Sequence, residues 1–178
     1  MAIAKRKKRF FDVEIPLIKK ETQLQAFEIE ELEGRFIDYD LTRILRGKNA
    51  LLQLKVKING NKLEAIPRQI KLLSSYMKRM VRKGTNYVEN SFSENCKNAQ
   101  LRIKSFLVTR RKVSRAVRKA LRKKAKEEIT DYIKEKTSEQ IFDELLKNSL
   151  QRELSLKLKK IYPLSVCEIR VLKVEKEL

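Results

Sequence analysis

Apolar and polar residues alternate with period two along the first part of this chain and switch to a helical period beyond Thr109. Phe11, Val13 and Ile15 alternate with Asp12 and Glu14 until Pro16 stops the run. Ile37, Tyr39 and Leu41 alternate with Asp38 and Asp40, and Leu52, Leu54, Val56 and Ile58 with Gln53, Lys55 and Lys57. Each pattern predicts a strand with one buried face. Asn59-Gly60 tolerates positive φ and predicts a hairpin returning over about 62–70. Ser74 or Ser75 can cap a short helix over about 75–83, with Met77, Met80 and Val81 inward and Gly84 at its stop. A second hairpin is predicted over about 86–93 and 99–108, where Leu101, Ile103 and Leu107 oppose Arg102 and Lys104. Phe106 and Val108 break the polar face of that hairpin, so its far end is expected to be covered as well.

In the second part, Val113, Ala116, Val117, Ala120, Leu121, Ile129, Tyr132 and Ile133 follow the i, i+3, i+4 rule. Thr137-Ser138-Glu139-Gln140 has the form of a capping box and opens a helix with Ile141, Leu145 and Leu146. Another helix carries Leu150, Leu154, Leu158 and Ile161 and is ended by Pro163. A final strand is predicted over about 165–174. Strands first, helices next and one closing strand describe an α+β fold rather than a βαβ repeat. The expected organisation is a basic arm over 1–9 and a single compact unit over 10–178. That unit is mainly β over 10–108 and mainly helical over 109–178, with the terminal strand.

Charge changes the picture from fold to partner. The chain has 178 residues and a formal net charge of +20. Residues 65–126 hold 19 Lys or Arg against only Glu89 and Glu94, and Lys5-Arg6-Lys7-Lys8-Arg9 adds a basic tip. A folded domain so charged repels itself unless a polyanion neutralises it, and nucleic acid is the abundant one. Within the basic window, a helix over 110–126 is the first candidate for phosphate contact, through Arg110, Arg111, Lys112, Arg115, Arg118, Lys119, Arg122 and Lys123. Guanidinium forks hold phosphate oxygens in pairs, and ammonium groups act as point charges. Lys78, Arg79, Arg82 and Lys83 of the short helix, and the arm residues Lys5, Arg6, Lys7, Lys8 and Arg9, come second. The bases lead and the acids Glu127, Glu128 and Asp131 trail, opposite to what the helix dipole favours. Twelve aromatic residues occur (five Tyr, seven Phe, no Trp), a sparse set for a single-strand binder. Phe10, Phe11, Tyr87 and Tyr162 could stack on bases, but the usual burial of aromatic rings assigns them to the core, which favours contact with structured nucleic-acid backbone over reading of a free strand.

Other chemistries find little support. There is no histidine, and Gly34, Gly47, Gly60 and Gly84 are isolated rather than grouped in a phosphate loop. Asp38 and Asp40 share a strand face, and the alternation assigns them to solvent. Cys96 and Cys167 cannot build a disulfide framework, and no apolar run spans a bilayer. No catalytic, cofactor-binding or metal site is expected, nor a small-molecule substrate or a membrane, and cytoplasmic residence is the default.

Several segments are similar to one protein family. Lys159-Lys160-Ile161-Tyr162-Pro163-Leu164 with Glu168-Ile169-Arg170 resembles the C-terminal signature of the small-subunit ribosomal eS-one family, formerly written S-three-a-e. Tyr76–Thr85 resembles that family's Tyr-Leu-hydrophobic-Val-Arg-Arg segment, and the basic arm before Phe10 resembles its Lys-Arg-Lys-aromatic opening. Phe10-Phe11 departs from the pair with Trp found in many members. The resemblance, in order over nearly the whole chain, is to the archaeal-type form. It implies a nonenzymatic structural component of the small ribosomal subunit, on the platform near the messenger exit, contacting rRNA and neighbouring platform proteins. It also implies a barrel-like, mostly antiparallel sheet with helices packed alongside. A DNA-binding architectural protein is the alternative, since charge alone does not separate RNA from DNA.

Overall fold

The structure is a computed structural model that describes residues 7–45, 47–60 and 62–177. The chain divides into two compact units, one formed by Met1–Tyr39 and Gln53–Arg68, the other by Asp40–Leu52 and Gln69–Leu178.

In the first unit, β1 (Arg9–Ile15) ends before Pro16, as its sequence requires. A tight turn follows, with Lys19 at φ 53°, and β2 (Lys20–Ala26) returns antiparallel along the whole of β1. Sequence periodicity does not reveal β2, because only Ala26 of its seven residues is buried. Its hold is the backbone ladder from Arg9↔Ala26 to Ile15↔Lys20. β3 (Phe36–Asp40) pairs with β4 (Ala50–Asn59), and β5 (Lys62–Leu72) follows the turn at Gly60. Leu54, Val56, Leu63 and Ala65 are all buried, as the alternation predicts. β1 pairs with β5 in parallel, at Val13↔Leu63 and Glu14↔Glu64, within a sheet expected to be mostly antiparallel.

In the second unit, α1 (Ser74–Met80) is shorter than expected. Leu73 rather than a serine stands at its N-cap, and the chain is already extended at Val81. Gly84, at φ 86°, serves the turn Arg82–Thr85 instead of the helix end. β6 (Tyr87–Asn95) and β7 (Ala99–Thr109) form the predicted hairpin, and β8 (Leu164–Glu177) lies on the other side of β7. α2 (Arg115–Lys134), α3 (Ser138–Leu146) and α4 (Ser149–Leu158) intervene. Thr137 N–H donates to Gln140 Oε1 (3.1 Å), which fixes the start of α3. α4 stops at Leu158, five residues before Pro163, which stands at the entry to β8.

The strands are hydrogen-bonded in the order β2-β1-β5-β8-β7-β6, with β4 on β5 and β3 on β4. This eight-stranded sheet is open, so the barrel-like expectation is incorrect. The physical reason is visible in the second unit. The inward side chains Val88, Leu101, Ile103 and Leu107 are covered by helices, with α2 against β6 and α3 and α4 against β8, so the sheet need not curl onto itself to bury them. Phe106 and Val108, on the opposite face, are buried too, which meets the expectation that this end is covered.

Candidate nucleic-acid interface

The basic helix starts later than the charge run suggests. Arg110, Arg111 and Lys112 precede α2 in an irregular segment, and Ser114 caps the helix by accepting the Val117 N–H (3.4 Å). Thr109 holds this segment in place. Its side chain is fully buried, and its hydroxyl donates towards the Arg111 carbonyl (2.7 Å), with the Asn86 carbonyl also in reach (3.0 Å). The same hydroxyl accepts from Asn86 N–H (3.1 Å), and Asn86 Oδ1 accepts from Val113 N–H (2.8 Å). A backbone bond from Thr109 N–H to the Asn86 carbonyl (2.9 Å) extends the β6–β7 ladder by one step.

This network brings two basic segments to one end of the hairpin. Arg82 and Lys83 lie in the turn entering β6, and Arg110, Arg111 and Lys112 lie in the segment leaving β7. All five are exposed. Among the described residues none of the five has an ion-pair partner. Lys78 and Arg79 of α1 are exposed as well, with Arg79 donating to Asn49 Oδ1 (3.3 Å) and lying 5.6 Å from the centre of the Tyr76 ring.

Along α2 the buried residues are Leu121, Ala125, Ile129 and Ile133, spaced by four. Ala116 and Ala120, expected inward, are exposed, so the first turns of the helix have little cover. Arg115, Lys119, Arg122 and Lys126 recur at i, i+4, i+7 and i+11, a row of exposed cations about 16 Å long at the helical rise of 1.5 Å per residue. Lys126 belongs to this row although the candidate residues stop at Lys123; its spacing was the available signal. Arg118 is half-buried, with Nε enclosed and unpartnered. Lys123 is exposed but stands 4.0 Å from Glu127 on the next turn.

Between α2 and β6 runs a groove of about 780 Å³, lined by the cations Lys119, Arg122, Lys123 and Lys126, by Asn90 and Phe92 of the strand, and at its far end by the acids Glu94, Glu127 and Asp131. Asn90, a buried polar residue on the inward face of β6, donates Nδ2–H to the Arg122 carbonyl (2.9 Å) and sets the helix against the strand. Lys126 Nζ lies 5.7 Å from the centre of the Phe92 ring. The acids of the basic window are engaged: Glu89 pairs with Arg170 (3.4 Å) and Glu94 accepts from Thr130 (3.1 Å). At the far end of α2, Glu128 binds Lys157 of α4 (2.6 Å) and Lys124 (3.0 Å). Those two hydrogen bonds, Lys157 first, hold its carboxyl below the usual range.

In the first unit, Lys7, Lys8 and Arg9 are exposed; Lys5 and Arg6 lie outside the described residues. Lys8 Nζ is 5.6 Å from the Phe27 ring centre, and Arg9 opens β1. None of the four aromatic rings assigned to the core is fully buried: Phe11 and Tyr162 are partly covered, and two are exposed, Phe10 by 63% and Tyr87 by 55%. Both stand at strand starts, where burial by a neighbouring layer ends. Asp38 accepts from Gln53 (3.2 Å), and Asp40 accepts from the Thr42 hydroxyl (2.5 Å) and N–H (2.8 Å), which lower its carboxyl pKa. Burial, aided by Glu168, pushes the Cys167 thiol up to about 12, so it is no thiolate at neutral pH. Among the described residues no three Cys, Asp or Glu stand together as metal ligands, and no helix is long and apolar enough to cross a membrane.

No curated protein sequence matches the chain. The sequence model of the Ribosomal S3Ae family, by contrast, matches residues 4–177, which takes in the arm, the basic window and the closing strand. The chain belongs to the Ribosomal S3Ae family and is thus a protein of the small ribosomal subunit.

Proposed function

We propose that this chain is a nonenzymatic structural constituent of the small subunit that binds rRNA backbone through one continuous cationic surface of its second unit. The surface comprises Arg82 and Lys83, the segment Arg110–Lys112, and the α2 row from Arg115 to Lys126. The observation that carries this reading is the meeting of the two basic connections at the open end of the β6–β7 hairpin, held by the hydrogen-bond network of Asn86 and the buried Thr109. Cations fixed on a rigid frame neutralise phosphates at small conformational cost, and among the described residues Arg82, Lys83, Arg110, Arg111 and Lys112 have no acid paired with them. Lys78 and Arg79 extend the surface, and the arm Lys5–Arg9 supplies a second contact. Family membership favours RNA over DNA as the polyanion, and the ribosome as the cytoplasmic site of action. The near-neutral helices α3 and α4 are then left for neighbouring platform proteins.

The test is charge reversal of Arg115, Lys119 and Arg122, three exposed cations of the α2 row, to Glu. The expected result is loss of rRNA binding and of entry into small subunits, with the far-UV circular dichroism unchanged. Undiminished entry into small subunits and undiminished rRNA affinity would remove α2 from the interface.

A further inference from the structure

We infer that Tyr87 is a stacking platform for an unpaired nucleobase, set within the phosphate-binding surface; the inference builds on the reading just given. One face of the Tyr87 ring is backed by Phe106, with ring centres 5.9 Å apart and planes inclined by 26°. Phe106 is itself only 3% exposed, so the backing is rigid, whereas Tyr87 is 55% exposed. The backbone beneath is fixed by the ladder pair Tyr87↔Val108 and by the adjoining Asn86–Thr109 bond. A ring oriented in this way loses little freedom when a second ring settles on its open face.

The surroundings select the ligand. Arg82 and Lys83 enter this strand end and Arg110 leaves its partner, so cations flank the ring along the chain on both sides. The nearby carboxylate, Glu89, is two residues along the same sheet face and is occupied by Arg170 (3.4 Å). An aromatic acceptor among unpaired cations fits a flat base attached to a phosphodiester, and fits an apolar protein side chain poorly. Because the ring must insert against one base face, the base comes from a loop, bulge or free strand and not from within a duplex.

The test compares Tyr87→Ala and Tyr87→Phe on the full chain, with two probes at one salt concentration: a short single-stranded oligoadenylate and a blunt RNA duplex. Tyr87→Ala is expected to weaken oligoadenylate binding by about 5- to 150-fold, the range for loss of one base–aromatic stack, with little change on the duplex. Tyr87→Phe keeps the ring and should bind both probes as the parent does. A single-stranded probe carrying bromouridine should photocross-link to the peptide containing Tyr87. Equal effects of Tyr87→Ala on the two probes, or none on either, overturn the proposal. A triple Arg110, Arg111, Lys112→Gln variant separates the two readings. If it weakens both probes while Tyr87→Ala weakens neither, stacking falls and phosphate contact stands. If neither variant matters, the phosphate reading falls, and stacking with it.

Discussion

Replacing Arg110, Arg111 and Lys112 together by Gln tests whether position in the fold, and not charge total, decides phosphate contact. All three are exposed, unpaired and fixed by the Thr109–Asn86 network, so each is free to displace a condensed counterion from RNA. Each phosphate neutralised contributes about 0.9 to the slope of log K against log salt for a duplex-like backbone, so three lost contacts flatten that slope by about 2.7. Over a fourfold rise in salt, the parent protein then loses about 40-fold more affinity than the variant does. The control is Lys123 with Lys124, changed to Gln. Both already face carboxylates on their own helix, at 4.0 Å for Lys123–Glu127 and 3.0 Å for Lys124–Glu128. Their replacement should flatten the slope by about 1 or less, since a cation held by a carboxylate releases fewer counterions. Fluorescence anisotropy with a labelled rRNA stem–loop across a salt series measures both. Parallel lines for the parent and the triple variant, or equal flattening by triple and control, would refute the reasoning.

Three further outcomes are expected. Thr109→Val leaves Asn86 N–H and the Arg111 carbonyl without their hydroxyl partner, so it should cost about 1–3 kcal/mol in urea unfolding and lower RNA affinity by freeing residues 110–114. Asn90→Ala removes the bond to the Arg122 carbonyl and should cost about 1 kcal/mol in the same assay, with a smaller effect on binding. Glu128 is held below its ordinary pKa of 4.5 by Lys157 and Lys124, so its contribution is present above 4.5 and disappears as pH falls through the lower folded value. Thermal melts of Glu128→Gln should therefore be lower than those of the parent at neutral pH and converge with them in acid; a constant gap down to strongly acidic pH would contradict this.

Periodicity located the elements whose burial depends on side chains and missed those that depend on backbone. The buried parity of Leu54, Val56, Leu63 and Ala65 was legible because each occupies every second position. β2 was not, since Leu24 and Ala26 alone interrupt a polar segment that its ladder to β1 holds in place. The start of α2 was misplaced for a related reason. Val113 extends the helical spacing backwards, but its N–H is taken by Asn86, a residue that no local pattern connects to it. The i, i+3, i+4 rule also drew Ala116 and Ala120 inward, whereas the helix buries a narrower row spaced by four, from Leu121 to Ile133, and leaves both alanines of its first turns exposed. For the candidate site, the identities of the cations were readable and their meeting was not. That Arg82 and Arg110 lie in connections at one end of the hairpin follows from the strand pairing, a tertiary fact.

The reversed charge order along α2 has a structural account in this geometry. Bases in the first turns oppose the helix dipole, each by a few tenths of a kcal/mol when exposed. If their sole use were solvation, acids would serve better there. The trailing acids are placed by packing: Glu128 ties Lys124 on its own helix to Lys157 on α4, and so fastens the C-terminal half of α2 to the helical layer. That half also contributes Ala125, Ile129 and Ile133 to the core, while the N-terminal half contributes Leu121 alone among its buried residues. One end of the helix is thus anchored by apolar burial and ion pairs, while at the other, among the described residues, Arg115, Arg118, Lys119 and Arg122 have no ion-pair partner. A helix whose free end is electrostatically disfavoured in isolation gains stability when phosphates occupy that end, so RNA binding should raise the unfolding temperature of the protein through α2 itself.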